Sequence, residues 1–255
     1  TAVTALIRQA TTAAISYSNA EDRQEVRDRL VAILATGLRD AMPGSDHQVA
    51  YANGLATAAT TDAADLLKGW LSGEEVPEGL SIDQGMRWRL VTALARVGRV
   101  GEDEIAAELQ RDNTISGSEQ AAGARAAMPT AQAKQAAWQR ATTDDSVPNE
   151  TYRQLVMQFI QPDQTEVLSP YVDPYLELCK AIDSHEGQWA KAGHAQVQNA
   201  LMWLFPSTEV IDAAWLNKLE GWVSDNDPGS TVRRVLAERA DNARRILRCQ
   251  EASRG

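Results

Sequence analysis

Cysteine is scarce in this sequence. Cys179 and Cys249, about 70 positions apart, are the whole supply in 255 residues. Two thiols so spaced make neither a disulfide framework nor a zinc knuckle. Histidine is nearly as rare, with only His47, His185 and His194. No uninterrupted apolar run approaches the roughly 20 residues of a membrane span, and no basic-then-apolar leader opens the sequence. Positive charge is also short: 25 Lys plus Arg stand against 35 Asp plus Glu, a net −10. That balance argues against a nucleic-acid partner or an anionic membrane surface, since both need clustered cations. Alternating β-branched runs bounded by turn residues are missing as well, so no strand is expected. These absences point to a soluble, acidic, cytoplasmic protein, and they do not say what it does.

What the sequence has is helix. Steps of three and four run through Val26, Leu30, Ile33/Leu34 and Leu38, then through Met86, Leu90, Leu94 and Val97. They return in Tyr152, Leu155/Val156 and Phe159/Ile160, and again in Ile211, Trp215, Leu219 and Trp222. Each keeps apolar groups on one side of a 3.6-residue repeat. The spacing predicts paired helices over 83–98 and 102–112, 115–127 and 130–142, 149–160 and 170–183, and 187–204 and 208–223. A last helix follows over 228–249. Ser45 with Gln48 and Ser81 with Gln84 have capping-box spacing, and Asp227 before Pro228 reads as another helix start. The fold class expected is all-α: an α-solenoid of stacked antiparallel helix pairs, HEAT-like, with a concave bowl. Residues 1–255 read as a single helical domain, with an internal joint near 72–80 where Gly73, Pro77 and Gly79 cluster.

The candidate chemical constellations mostly dissolve. His185-Glu186 opens like a zinc-binding H-E-x-x-H, but Trp189 stands where the second histidine belongs. Ser45-Asp46-His47 is adjacency without a triad, and a helix cap at Ser45 explains it. Asp225-Asn226-Asp227 begins like a calcium loop, yet Pro228 follows and Leu236 takes the place of the bidentate glutamate. Trp70, Trp189, Trp215 and Trp222 fall on apolar stripes and read as core. Trp88, flanked by Arg87 and Arg89, lies off its helix's main stripe and is a candidate docking anchor. From Pro228 onward, Arg233, Arg234, Arg239, Arg244, Arg245, Arg248 and Arg254 face only Glu238, Asp241 and Glu251, a local surplus of +4 in a chain of −10. Such a helix suits docking on acidic surface within the chain or on another domain.

Particular words of the sequence say more than its statistics. MRWRLVTALARVG at 86–98, EIAAELQRDNT at 104–114, ARAAMPTAQAKQAAW at 124–138, FIQPDQTEVLSPYVDPY at 159–175 and LFP at 204–206 stand in one order. With the arginine-rich last helix, they resemble the C-terminal helical domain of the aminopeptidase N family of zinc metallopeptidases, over roughly residues 60–250. The resemblance implies a catalytic domain upstream, absent from this chain, that holds zinc through H-E-x-x-H and removes N-terminal residues from peptides. None of those elements occurs here, so the segment carries no catalytic residue, no metal ligand and no cofactor. The implied role is to close over the active-site cleft and confine peptide substrate, with the catalytic domain of the same polypeptide and peptides as partners. Gln161, Gln164, Tyr171 and Tyr175, beside proline-broken helix ends, are the candidate cleft-lining residues, with Trp88, Arg244 and Arg245 as candidate docking residues. A free-standing helical scaffold for protein–protein interaction is the alternative.

Overall fold

The computed structural model describes residues 1–253; Arg254, at the end of the basic segment, lies outside them. Among the described residues every regular element is helical. The chain divides into two compact units. The first is Thr1–Asn113 with the chain from Cys249 onward, and the second is Thr114–Arg248.

The first unit holds α1 (Ala2–Thr12), continued by a π-turn, then α2 (Arg23–Asp40), α3 (Asp46–Ala58), α4 (Ala64–Ser72), α5 (Gln84–Arg96) and α6 (Glu102–Arg111). Within it α3 packs on α1, α2 and α5, and α4 packs on α5. The α2 stripe buries Leu30, Leu34 and Leu38, while Ile33, grouped with them by spacing, stays 66 % exposed. Ser45 caps α3 as expected, accepting from the Gln48 amide at 3.2 Å. The α5 start is different: the side chain of Asp83, not Ser81, accepts from the Met86 amide at 2.8 Å. Residues 72–80 lie inside this unit and are tied to the α2–α3 turn. The Gln48 side chain donates to the Glu78 carbonyl and accepts from the Gly44 amide, both at 2.8 Å. Gly79, at φ +80, lies so close to that turn that a Cβ there would overlap the Gly44 nitrogen, so only glycine fits.

The second unit holds α7 (Ile115–Ala127), α8 (Ala131–Thr143), α9 (Asn149–Met157), the single turn α10 (Thr165–Leu168), α11 (Val172–Asp183), α12 (His194–Trp203), α13 (Ala213–Asn226) and, as far as Arg248, α14 (Ser230–Ala252). The buried residues of α7 are all small: Gly117, Ala121, Ala122, Gly123, Ala124, Ala126 and Ala127. It packs against α8 and α9. A Cβ on Gly123 would sit 3.3 Å from the Gln154 carbonyl oxygen and 3.2 Å from Gln158 Cγ, so the two backbones meet almost directly. α9 in turn packs on α12.

Three expected boundaries move. The helix expected over 187–204 is split into a 3₁₀ turn, Gly187–Ala190, and α12. Gly187 has φ +56 and Gly193 takes the cap position, so the glycines interrupt it. The helix expected over 208–223 starts instead at Ala213, because Asp212 accepts from the Trp215 amide at 2.8 Å. Buried Ile211, just before that cap, and buried Leu216 in the first turn have the positions of a hydrophobic staple. Finally, Asp227 does not start α14. It ends α13 in a left-handed conformation, φ 43, and α14 begins at Ser230.

Candidate functional site

The words that carry the resemblance turn out to be joined to one another. In the first unit, Arg87 and Trp88 of α5 reach the end of α6. Arg87 donates to Glu108 at 2.6 Å and to the Leu71 carbonyl at 2.9 Å, while Gln84 reaches Glu108 at 3.0 Å. Burial pushes the Glu108 carboxyl upward, but the hydrogen bonds of Arg87 and Gln84 and the charges of Arg87 and Arg111 outweigh it and leave its pKa below the ordinary value. Trp88 is only 2 % exposed, and its indole N–H donates to Asp112 at 2.7 Å. Its ring is committed to the core of the first unit.

In the second unit the center of the arrangement is Lys134. Its side chain is fully buried, and Nζ donates to the carbonyls of Ala126, in the last turn of α7, and of Phe159, just past α9, each at 2.7 Å. The ammonium also lies 5.4 Å from the Phe159 ring centroid. Carbonyls at helix ends lack intrahelical partners and attract cations, so one lysine satisfies two ends at once. Burial pushes its pKa down to about 7. Beside it the Gln164 side chain, 5 % exposed, donates to the Ala127 carbonyl at 2.9 Å. Gln161, 8 % exposed, donates to the backbone and side-chain oxygens of Gln158 at 3.0 Å. Both glutamines thus hold backbone or neighboring amides.

Tyr171 and Tyr175 divide. Tyr171 is partly exposed and packs with Phe159 and Trp138, each ring centroid 5.1 Å from its own. Tyr175 is fully buried, its hydroxyl donating to the Leu201 carbonyl at 2.6 Å. Of the four residues read as cleft lining, Tyr171 is the one whose ring keeps solvent contact. Arg244 reaches across to α13, donating to Glu220 at 2.8 and 2.5 Å and to Asn217 at 2.7 Å. Arg245 bonds Asn242 of its own helix.

Two clasps escaped the sequence reading. Lys134 shares a helix face with Ala137, Trp138 and Ala141, positions i+3, i+4 and i+7, which is the signal that marks it as inward-facing. Arg27 and Arg96 are the second case: both donate to the Ala59 carbonyl beyond the end of α3, at 3.2 and 2.7 Å. Burial, then the charge of Arg27, lowers the Arg96 pKa to about 10.

Among the described residues, no three His, Cys, Asp or Glu side chains are placed to hold a metal ion. His185 is exposed in a left-handed turn. Cys179 is buried, and burial raises its thiol to about 12, far from a thiolate at neutral pH. Among the described residues no helix is long and apolar enough to cross a membrane.

Compared with known proteins, residues 1–245 match the model of the ERAP1-like C-terminal domain. Aminopeptidase N of Streptomyces lividans is 37 % identical over 251 residues, covering 98 % of this chain and 28 % of that protein. The chain spans little more than a quarter of the length of that relative.

Proposed function

Because the chain belongs to the ERAP1-like C-terminal domain family, we propose that it serves as the non-catalytic C-terminal domain of a zinc aminopeptidase. On this reading it closes over the active-site cleft and confines the peptide being trimmed. The observation that carries the reading is the alignment of nearly the whole chain with just over a quarter of an aminopeptidase N. The remainder of such a polypeptide would hold the zinc and perform hydrolysis; this part contributes shape. Helix packing supports stacked hairpins within each unit, since α3 touches both α1 and α5, and α9 touches α7, the every-second-helix contacts of an α-solenoid. The two free cysteines suit a reducing, cytoplasmic compartment.

The test is a truncation. In the complete polypeptide, removing the segment equivalent to residues 1–255 should leave some hydrolysis of a single-residue anilide while erasing discrimination between short and long peptides. Unchanged ratios of kcat/KM across a peptide-length series would overturn the reading. So would a native polypeptide that carries no zinc-binding segment at all.

A further inference from the structure

The helix that opens the first unit is thinly held. α1 buries only Thr11, whose hydroxyl has no hydrogen-bond partner among the described residues, and Leu6 is 64 % exposed. Ile7 fills a notch over Gly54 of α3, where an added Cβ would come within 2.7 Å of its Cγ2. A helix with so few buried apolar groups stands at the low end of local stability. α1 then passes into the π-turn Ala13–Tyr17, a form found mostly as single turns within helices.

What apolar packing does not supply, the last turn of α14 does. From Cys249 on, that helix belongs to the first unit. The Gln250 side chain donates to the Ser16 carbonyl of the π-turn at 2.8 Å. Ser253 accepts the Asn19 backbone amide on its Oγ and the Asn19 side-chain amide on its carbonyl, each at 3.0 Å. Asn19 is 2 % exposed and every polar group of its side chain is used. Its Nδ2 also donates to Asp22 at 2.8 Å, and its Oδ1 accepts the Glu21 and Asp22 amides at 2.9 Å, which shapes the entry to α2. Buried amides keep their partners or open to water, so this corner holds its form only while α14 is seated on it. We propose that the end of α14 is a latch on α1. α1 and its π-turn open as one local unit, ahead of the rest of the first unit, and Gln250 and Ser253 set how often. Opening lifts Ile7 off Gly54 and uncovers the adjoining Leu34.

The test is native-state hydrogen exchange read by mass spectrometry. In wild type the amides of α1 and the π-turn should exchange as one group, ahead of those in α3 and α5. Gln250→Ala combined with Ser253→Ala places a good helix former at both positions of α14 and removes two of its three bonds to the corner. Amides over residues 2–18 should then exchange about tenfold faster or more, as expected for two lost hydrogen bonds, while α3, α5 and the second unit keep their wild-type rates. Unchanged exchange over 2–18 in the double variant overturns the latch. So does an equal acceleration in α3 and α5, which would mean that α1 opens only with the whole unit. Should the double variant fail to fold, the wild type still decides: exchange of α1 in step with α3 overturns the proposal.

Discussion

Buried Lys134 ties stability to pH in a direction opposite to most lysines. Its ammonium is fully buried, hydrogen-bonded to two carbonyls and not to a carboxylate, and its pKa falls to about 7. The unfolded chain holds that proton up to about pH 10.4, the usual lysine value, so between 7 and 10 the unfolded state binds more protons than the folded one. Stability therefore rises with pH across that window and is flat below about pH 6, where both states are protonated. A tenfold change in proton affinity is worth about 1.36 kcal/mol, and the linkage relation then gives a gain of about 2 kcal/mol between pH 7 and 9. A neutral amine retains two N–H donors for its two carbonyls, so deprotonation need not break the clasp. The assay is urea denaturation of wild type and Lys134→Met at pH 6, 7, 8 and 9. Only the difference between the two is read, because it cancels titration of Cys179 and of other groups near pH 9. Lys134→Met leaves both carbonyls without a donor, so it should be the less stable protein at pH 9, by about 2 kcal/mol. The gap should shrink toward pH 6, where wild type bears a buried charge. A gap independent of pH from 6 to 9 would refute the depressed pKa and the pH linkage drawn from it.

Other substitutions test other joints. Trp88→Phe keeps the apolar ring but removes the N–H held by buried Asp112. It should lower stability by about 1–3 kcal/mol in thermal unfolding, whereas Arg89→Ala, on an exposed position of the same helix, should do little. Gln48→Ala removes the side chain that bridges Glu78 of the 72–80 segment to Gly44 of the α2–α3 turn; limited proteolysis with a broad-specificity enzyme should nick that segment several times faster, and unchanged nicking would show that the close approach at Gly79 holds it instead. Arg244→Glu with Arg245→Glu breaks a partly exposed pair with Glu220 and should cost about 1 kcal/mol or less, a loss that fades in high salt; an equal loss at both ionic strengths would point to packing instead of charge.

Periodicity made the helices legible wherever large apolar residues recur, as in α5 and α9, and cap chemistry located Ser45. It failed where two cap-competent residues stand two apart: Ser81 and Asp83 both qualify, and only the turn geometry selects Asp83. It failed again at glycines, since Gly187 and Gly193 interrupt a stripe that is otherwise continuous. The interior cations were invisible for a different reason. Lys134, Arg27 and Arg96 count as surface by residue type, even though Lys134 shares a face with Ala137, Trp138 and Ala141, yet each faces inward because a helix end supplies carbonyls for it. The resemblance words were recognizable, but as strings they did not disclose that they bond to one another. Gln161 and Gln164 looked like rim residues for the same reason: a polar side chain beside a broken helix reads as exposed until its backbone partner is seen.

The small residues of α7 have a mechanical consequence. Alanine and glycine surrender almost no rotamer entropy when buried, so this contact is easily ordered, but they also leave no side-chain torsion to turn aside. A methyl group added at Gly123 would sit 3.3 Å from the Gln154 carbonyl oxygen, so the backbone of α9 would have to give way by a few tenths of an ångström. Just past the end of α9 lies the Phe159 carbonyl, one of the two acceptors that Lys134 grips, and the other, on Ala126, belongs to α7 itself. The spacing of two helices and the bite of one lysine are therefore a single dimension of the molecule, and neither can drift during evolution without the other following.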